Sequence, residues 1–174
     1  MAKLPPSGTV LGLSELERAV RALRRAGGRV VWANGCYDVL HAGHVAFLKA
    51  ARALGDLLVV GLNSDASVRR LKGPSRPLNR ERHRAAVLAA LRVVDYVVVF
   101  RGKTPLSLLE RLKPEVYAKG GNYTLETLDQ RERRLVKGYG GAIRFLPFVE
   151  DLSTTGLVRK MEDLSPPKAR RARP

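Results

Sequence analysis

The sequence predicts an α/β protein in which helices cover both faces of a doubly wound parallel sheet of about five strands. Short runs of Val and Leu alternate along the chain with segments of helical periodicity. Continuous apolar runs of this length are typical of strands that are buried on both faces of a parallel sheet. The 174 residues contain no internal repeat and no linker that divides the body, so we expect one domain.

Each element follows from a local pattern. A capping box at Ser14–Glu17 opens an amphipathic helix that stops before Gly27 and Gly28. We expect strands at residues 30–33, 57–62, 96–100, 116–118 and 142–146. We expect further helices at about 44–54, 66–71, 80–91 (capped by Asn79), 105–112 and 128–139, and a last helix from about Thr154.

The net charge of +16 suggests nucleic acid, an anionic membrane or phosphorylated small molecules as partners, and cannot choose among them. Part of it lies at the C-terminus, where residues 166–174 hold four Lys and Arg and no acid. This stretch has no aromatic side chain that could stack on a base, which disfavours nucleic acid. We therefore expect a domain over residues 1–164 and a solvated, disordered basic tail over 165–174.

Cellular location follows from what the sequence lacks. It has no apolar run of about 18 residues that could span a bilayer, and its first residues have no apolar signal region. Its one cysteine, Cys36, excludes an internal disulfide. We expect a cytoplasmic protein with no membrane partner.

The stretch NGCYDVLHAGH, Asn34 to His44, follows the first buried strand. It matches neither the dinucleotide fingerprint nor the P-loop, so it predicts a different phosphate cradle. Gly35 permits a sharp turn after the strand, and the backbone N–H groups near Cys36 and Tyr37 can then face an anion at the start of the next helix. His41 and His44 are three positions apart, on one side of that helix start, and Gly43 between them allows close approach.

A metal site and a pair of ordinary surface residues are the alternatives for these two imidazoles. A metal would need further ligands, but the remaining histidine is His83 and no acid stands near in sequence. We therefore favour phosphate binding, in which each ring donates a hydrogen bond to an oxygen that gains charge.

The pattern His41-Ala42-Gly43-His44, preceded by Gly35-Cys36-Tyr37-Asp38, resembles the HxGH signature of the nucleotidyltransferase superfamily. This superfamily includes the cytidylyltransferases, small adenylyltransferases and class I aminoacyl-tRNA synthetases. The match continues through residues 61–74, 76–79, Arg84, 88–91, 119–123 and 152–155. From about residue 12 to about residue 161 the chain is similar to the adenylyltransferase domain of bacterial heptose-phosphate synthesis, which implies a Rossmann-like fold.

The resemblance implies roles for particular residues. The residues implied to act on the phosphates are His41, His44, Lys72 and Arg84, and those implied to bind the nucleotide are Gly35, Cys36, Tyr37, Asp38, Gly43, Lys119, Gly120, Ser153, Thr154 and Thr155. The alternatives are a helix cap for Ser153–Thr155, turn or cap roles for Asp38 and Asp65, and a small buried filler at Cys36. Glu150 and Asp151 would repel a triphosphate unless they face solvent or a magnesium ion.

The implied reaction is transfer of AMP from ATP to D-glycero-β-D-manno-heptose 1-phosphate, with Mg²⁺ bridging the triphosphate oxygens and no metal ligand from the protein. Relatives often form homodimers, and many carry a sugar kinase for which this chain has no room, so we expect a stand-alone enzyme. A cytidylyltransferase acting on glycerol 3-phosphate is the alternative, since loops 119–123 and 147–149 are expected to set the choice of base. A basic nucleic-acid-binding protein is the alternative from another class, and the absence of a KMSKS-type loop disfavours a tRNA synthetase.

Overall fold

A computed structural model of the chain describes residues 4–121, 123–147 and 156. The described residues form one parallel sheet in the order β1-β4-β3-β2-β5-β6. Its strands are β1 (Thr9–Val10), β2 (Val30–Gly35), β3 (Leu57–Asn63), β4 (Tyr96–Phe100), β5 (Val116–Gly120) and β6 (Ala142–Leu146). The helices are α1 (Leu13–Arg25), α2 (Ala42–Arg52), α3 (Asp65–Lys72), α4 (Glu81–Ala89), α5 (Leu106–Leu112) and α6 (Gln130–Gly138).

The parallel α/β sheet confirms the predicted fold class, with one strand more than the expected five. The extra strand, β1, has only 2 residues and pairs with the edge of β4, Thr9 opposite Tyr96. A strand this short shows no hydrophobic periodicity, so sequence patterning could not find it.

Both faces of the sheet are buried, as the apolar runs predict. Along β2, Val30 and Trp32 pack into the core beneath α1, α5 and α6. Val31 and Ala33 point the other way, into the core beneath α2 and α4. All four side chains are fully buried, and this two-sided burial explains why the strand is a continuous apolar run.

Three predicted helix starts are wrong. Helix α5, for which the sequence suggests Thr104 as the cap, is capped at Pro105. The capping box of α1 does not lie at Ser14–Glu17: the helix is capped at Gly12, whose backbone N–H donates to Glu15 Oε2 at 3.2 Å. Helix α4 is capped at Arg80 rather than at Asn79. Asn79 bonds to the loop after β2 instead, which brings a distant segment to the site.

The topology places a crevice beside β2. From β2 the chain passes to β3 and β4 on one side, then crosses to β5 and β6 on the other, so the strand order reverses between β2 and β5. In open α/β sheets ligands bind at such a point, beyond the carboxyl ends of the strands. Within the described residues, no helix is long and apolar enough to cross a membrane.

Candidate active site

A cavity of about 860 Å³ opens at the carboxyl ends of the strands, with a floor formed by residues of the stretch 34–47. This volume suits a nucleotide-sized ligand. Two walls flank the floor. The α3 wall consists of Asn63, Val68, Leu71, Lys72, Arg76, Lys103 and Thr104, and the α6 wall consists of Lys119, Gly120, Tyr123, Thr127, Leu128, Asp129 and Glu132.

His41 and His44 lie together on the floor. His41 caps α2 and His44 lies in its first turn, so their ring centroids are 3.9 Å apart with an interplanar angle of 37°. The Tyr37 ring stands 5.3 Å from that of His44. Burial lowers the pKa of His41, and burial with the neighbouring His41 lowers the pKa of His44 to about 4. Near pH 7 both rings are therefore neutral, and each can donate one N–H to an anion at the positive end of α2.

The turn that follows β2 brings Gly35, Cys36 and Tyr37 to the cavity. Tyr37 takes a positive φ of 45°, and a side chain on Gly35 would approach the Tyr37 ring to 3.1 Å. The structure thus brings these three predicted residues to the floor, while Gly43 is buried in α2 and does not line the cavity.

Asp38 lines the cavity, but its carboxylate is bound within the protein. Its Oδ2 accepts from Arg76 Nη1 at 2.8 Å, and its Oδ1 accepts from the backbone N–H groups of Leu78 at 2.8 Å and Asn79 at 3.0 Å. Burial alone would raise the pKa of Asp38, but these hydrogen bonds together lower it. The carboxylate thus holds the α3–α4 loop, and with it Arg76, against the cavity. This role resembles that of a turn residue, which is the alternative given for Asp38 in the sequence analysis.

Arg84 also departs from its predicted role, because its guanidinium does not reach the cavity. The residue is 2% exposed. Its Nε donates to Asn79 O at 2.8 Å, its Nη1 to Cys36 O and Asn63 O, and its Nη2 to Asp65 Oδ1 at 2.8 Å. With these donors engaged inside the protein, Arg84 positions the ends of β2 and β3 instead of binding phosphate. Asp65, for its part, follows the cap residue Ser64 and pairs with Arg84.

The α3 wall is cationic. Lys72, at the end of α3, and Lys103, after β4, are exposed and form no ion pair within the described part of the chain. Arg76, the third cation of this wall, pairs with Asp38. Sequence reasoning singled out Lys72 but not Arg76 or Lys103. Arg76 stood inside a matched motif, whereas nothing in the sequence distinguished Lys103 from other surface lysines.

The α6 wall holds Lys119 in a different setting. Its Nζ lies 3.3 Å from Glu132 Oε2 and 4.8 Å from the ring centroids of both Tyr117 and Tyr123. Burial lowers the pKa of Lys119, and the Glu132 carboxylate opposes that shift. Lys119 and Gly120, both predicted to bind the nucleotide, thus line the cavity. Glu132 was not predicted, because the sequence pattern identified its helix only as polar.

Several predicted features lie outside the described residues, namely Ser153, Thr154 and Thr155, the acids Glu150 and Asp151, and the basic tail. In the part of the chain that the structure does describe, no three His, Cys, Asp or Glu residues form a group that could hold a metal ion.

Comparison with known proteins identifies the family. The sequence profile described as cytidylyltransferase-like matches residues 32–160. The chain belongs to the cytidylyltransferase-like family. Among its relatives, the bifunctional protein HldE of Syntrophotalea carbinolica is 54% identical over 140 residues, which are 80% of this chain and 28% of that protein. The bifunctional protein HldE of Geobacter sulfurreducens is 51% identical over 152 residues, 87% of this chain and 31% of that protein. The chain thus spans under a third of the length of these relatives.

Solved structures of similar fold agree with this family. The lipopolysaccharide core biosynthesis protein from Thermoplasma volcanium is 28% identical, with a TM-score of 0.58 over 71% of this chain and 98% of that one. A pantoate-beta-alanine ligase from Francisella tularensis, complexed with beta-gamma ATP and beta-alanine, is 14% identical. Its TM-score is 0.58 over 88% of this chain and 77% of that one. The second likeness concerns the fold alone. Together with the family profile, these findings confirm the predicted Rossmann-like fold and the resemblance to the cytidylyltransferase-like nucleotidyltransferases.

Proposed function

We propose that this chain transfers AMP from ATP to D-glycero-β-D-manno-heptose 1-phosphate and releases pyrophosphate. The observation that carries the proposal is the pair of neutral imidazoles at the start of α2, which faces the same cavity as the cationic α3 wall. The motifs that resemble the adenylyltransferase domain of heptose-phosphate synthesis favour the heptose reaction over other activities of the cytidylyltransferase-like family, and the identity of 51% and 54% to HldE proteins supports this proposal.

The reaction needs positioning and charge stabilisation more than it needs a nucleophile from the protein. An oxygen of the acceptor phosphate attacks the α-phosphorus of ATP in line, a new P–O bond forms, and the bond to pyrophosphate breaks. The acceptor phosphate is already ionised, so no general base is required. His41 and His44 donate N–H hydrogen bonds to phosphate oxygens, and these bonds strengthen as negative charge grows on the departing pyrophosphate.

The α3 wall counters the repulsion between two anionic substrates. Lys72 and Lys103 line the cavity as exposed point charges, while Arg76 presents a planar guanidinium that Asp38 holds in place. This arrangement favours the acceptor phosphate on the α3 side of the imidazoles. Arg84 stabilises this wall through its hydrogen bonds to the Asn79 carbonyl and the Asp65 carboxylate.

Magnesium fits this site as a partner of the triphosphate rather than of the protein. The described lining acids already have partners: Asp38 is bound by Arg76 and the α3–α4 loop, Asp129 is paired with Arg131, and Glu132 is paired with Lys119. Mg²⁺ is commonly bound through substrate phosphates and water with few protein ligands. When bound, it neutralises triphosphate charge. The β- and γ-phosphate contacts of Ser153–Thr155, the homodimer and the cytoplasmic location stay predictions.

A pyrophosphate-release panel tests the proposal. It crosses ATP, CTP and GTP with heptose 1-phosphate, glycerol 3-phosphate and phosphocholine. We expect ATP with heptose 1-phosphate to give the highest turnover. A tenfold advantage for CTP with glycerol 3-phosphate, about 1.4 kcal/mol of barrier, would contradict it and support the cytidylyltransferase alternative.

A further inference from the structure

Glu132 is a buried acid on the α6 wall for which the proposed mechanism has no use. It is 3% exposed and borders the cavity. Its Oε2 lies 2.8 Å from the Tyr117 hydroxyl and 3.3 Å from Lys119 Nζ. The Tyr117 hydroxyl also lies 2.8 Å from Asn34 Oδ1, so the group is tied to the floor of the cavity through β2 and β5.

This arrangement engages one carboxylate oxygen and leaves the other for the cavity. The contacts of Glu132 with Tyr117 and Lys119 both involve Oε2. Oε1 accepts no hydrogen bond from the described residues, so it keeps its full capacity to accept one. The fixed Oε2 also fixes the direction of Oε1, because the carboxylate is planar. A donor from a bound molecule would complete the site.

The charges of the α6 wall indicate what that donor is. A phosphate would meet the Glu132 carboxylate and be repelled, whereas a hydroxyl can donate to it. The cation of this wall, Lys119, is already compensated by Glu132, so the wall attracts anions far less than the α3 wall does. The exposed Tyr123 ring and the backbone at Gly120 line the same side and suit the flat face of a sugar or base.

We propose that Glu132 Oε1 binds a sugar hydroxyl of a substrate, with Tyr117 and Lys119 as its positioning residues. The assignment rests on the proposed function, which supplies two polyhydroxylated molecules, the ribose of ATP and the heptose. Their shared chemistry is a vicinal pair of hydroxyls. Carboxylates accept hydrogen bonds from ribose hydroxyls in other nucleotide sites, and a bond to a charged acceptor is stronger than one to a neutral group.

Two measurements on the full chain distinguish the sources. Calorimetry without acceptor compares ATP, 2′-deoxyATP and 3′-deoxyATP, and steady-state kinetics gives the KM for heptose 1-phosphate. If ribose is bound, the wild type prefers ATP to at least one deoxy analogue by about tenfold, and Glu132→Ala loses that preference. If heptose is bound, Glu132→Ala raises the KM for heptose 1-phosphate by about tenfold and leaves the affinity for ATP unchanged.

Glu132→Gln separates binding from a purely structural role and serves if the alanine variant does not fold. Its amide oxygen still accepts a hydrogen bond, so we expect a smaller loss than in Glu132→Ala. Glu110→Ala, which removes an exposed carboxylate from α5, is the matched control and should leave both measurements unchanged. A folded Glu132 variant with a lower Tm but with wild-type KM, ATP affinity and deoxy discrimination would overturn the assignment.

The Glu132 assignment and the proposed function can be refuted separately. If ATP binds and heptose 1-phosphate is turned over, but neither affinity depends on Glu132, only the Glu132 assignment is wrong. If no triphosphate binds and no pair in the panel releases pyrophosphate, the proposed function is wrong and the assignment with it.

Discussion

The α3 wall and the α6 wall each present lysine to one cavity, yet the two walls have opposite electrostatic character. Lys72 and Lys103 are exposed and lie beside no acid that pairs with them in the described residues. Lys119 is 7% exposed, lies between two aromatic rings, and has its charge compensated by Glu132. The comparison predicts that Lys72 and Lys103, whose charges are uncompensated, bind phosphate, and that Lys119 does not.

The same contrast separates two arginines that stand close together in sequence. Arg76 faces the cavity and keeps part of its guanidinium available, since one of its nitrogens pairs with Asp38. Arg84 has its donors engaged with three backbone carbonyls and Asp65. One arginine is placed to meet substrate, and the other holds the framework on which the first depends.

The largest expected effect is on stability, at Arg84. Arg84→Met removes the partner of Asp65 and leaves the carbonyls of Cys36, Asn63 and Asn79 without their donor. We expect the free energy of unfolding to fall by about 3–5 kcal/mol, as when one member of a buried ion pair is removed. Urea denaturation measures this.

Arg82→Met, at an exposed position on the same helix, is the control and should change stability by less than about 0.5 kcal/mol. If Arg84→Met were as stable as this control but bound ATP or heptose 1-phosphate poorly, Arg84 would be the phosphate ligand that the sequence predicts.

The second effect is on catalysis, at His44. His44→Ala should lower kcat by about a hundredfold or more and change ATP affinity little, because its N–H bond matters most when charge develops on the leaving group. His83→Ala removes an exposed imidazole from α4 and should keep wild-type kcat. A folded His44→Ala enzyme that keeps most of its kcat would mean that His44 only packs the turn. Activity that follows added zinc, with magnesium in excess, would support the metal alternative.

The third test separates the two walls directly. Lys72→Met should raise the KM of a phosphorylated substrate by about tenfold with an unchanged Tm, because it removes an uncompensated surface charge. Lys119→Met should instead lower the Tm, because it leaves the buried Glu132 carboxylate without its cation. Lys137→Met, at an exposed position of α6, is the control for both. Equal KM effects with no change in Tm at both lysines would remove the distinction between the walls.

The last of these tests concerns the pH dependence of stability that His44 causes. In the folded protein the pKa of His44 is lowered to about 4, from an ordinary value of 6.5. Between these values the unfolded chain binds a proton that the native chain does not, so stability is full above pH 6.5 and falls as the pH decreases toward 4. His44→Ala should flatten this part of the Tm–pH curve. An identical slope in wild type and variant would place the pKa of His44 near its ordinary value.

The local part of the site could be predicted from sequence, and the long-range part could not. The turn after β2 and the side-by-side imidazoles depend on residues within one short stretch, so their spacing was sufficient. The partners of Arg84, Asp38 and Glu132 lie far away along the chain, as with Arg84 and the Cys36 carbonyl 48 positions away. Whether such a charge meets substrate or another protein group depends on packing, and sequence patterning carries no signal for packing partners.

The fold shows the same division. The pairing of β1 with β4 escaped prediction because a strand of 2 residues shows no hydrophobic periodicity. The strands of the interior were predicted because burial on both faces requires an unbroken apolar run. The strand order was not predicted, whereas the cavity lies at the carboxyl end of β2, where the sequence predicts the site.

Cys36 allows the most direct test of whether this cavity binds the nucleotide. It is the chain's one cysteine, it is half-buried, and it lies on the cavity floor. The rate at which a maleimide modifies its thiol is measured for the free protein, with Mg-ATP, and with Mg-GTP. We predict that saturating ATP slows modification at least about tenfold, while GTP at the same concentration protects less. An unchanged rate at ATP concentrations that support full turnover would show that the nucleotide binds elsewhere and would contradict the account.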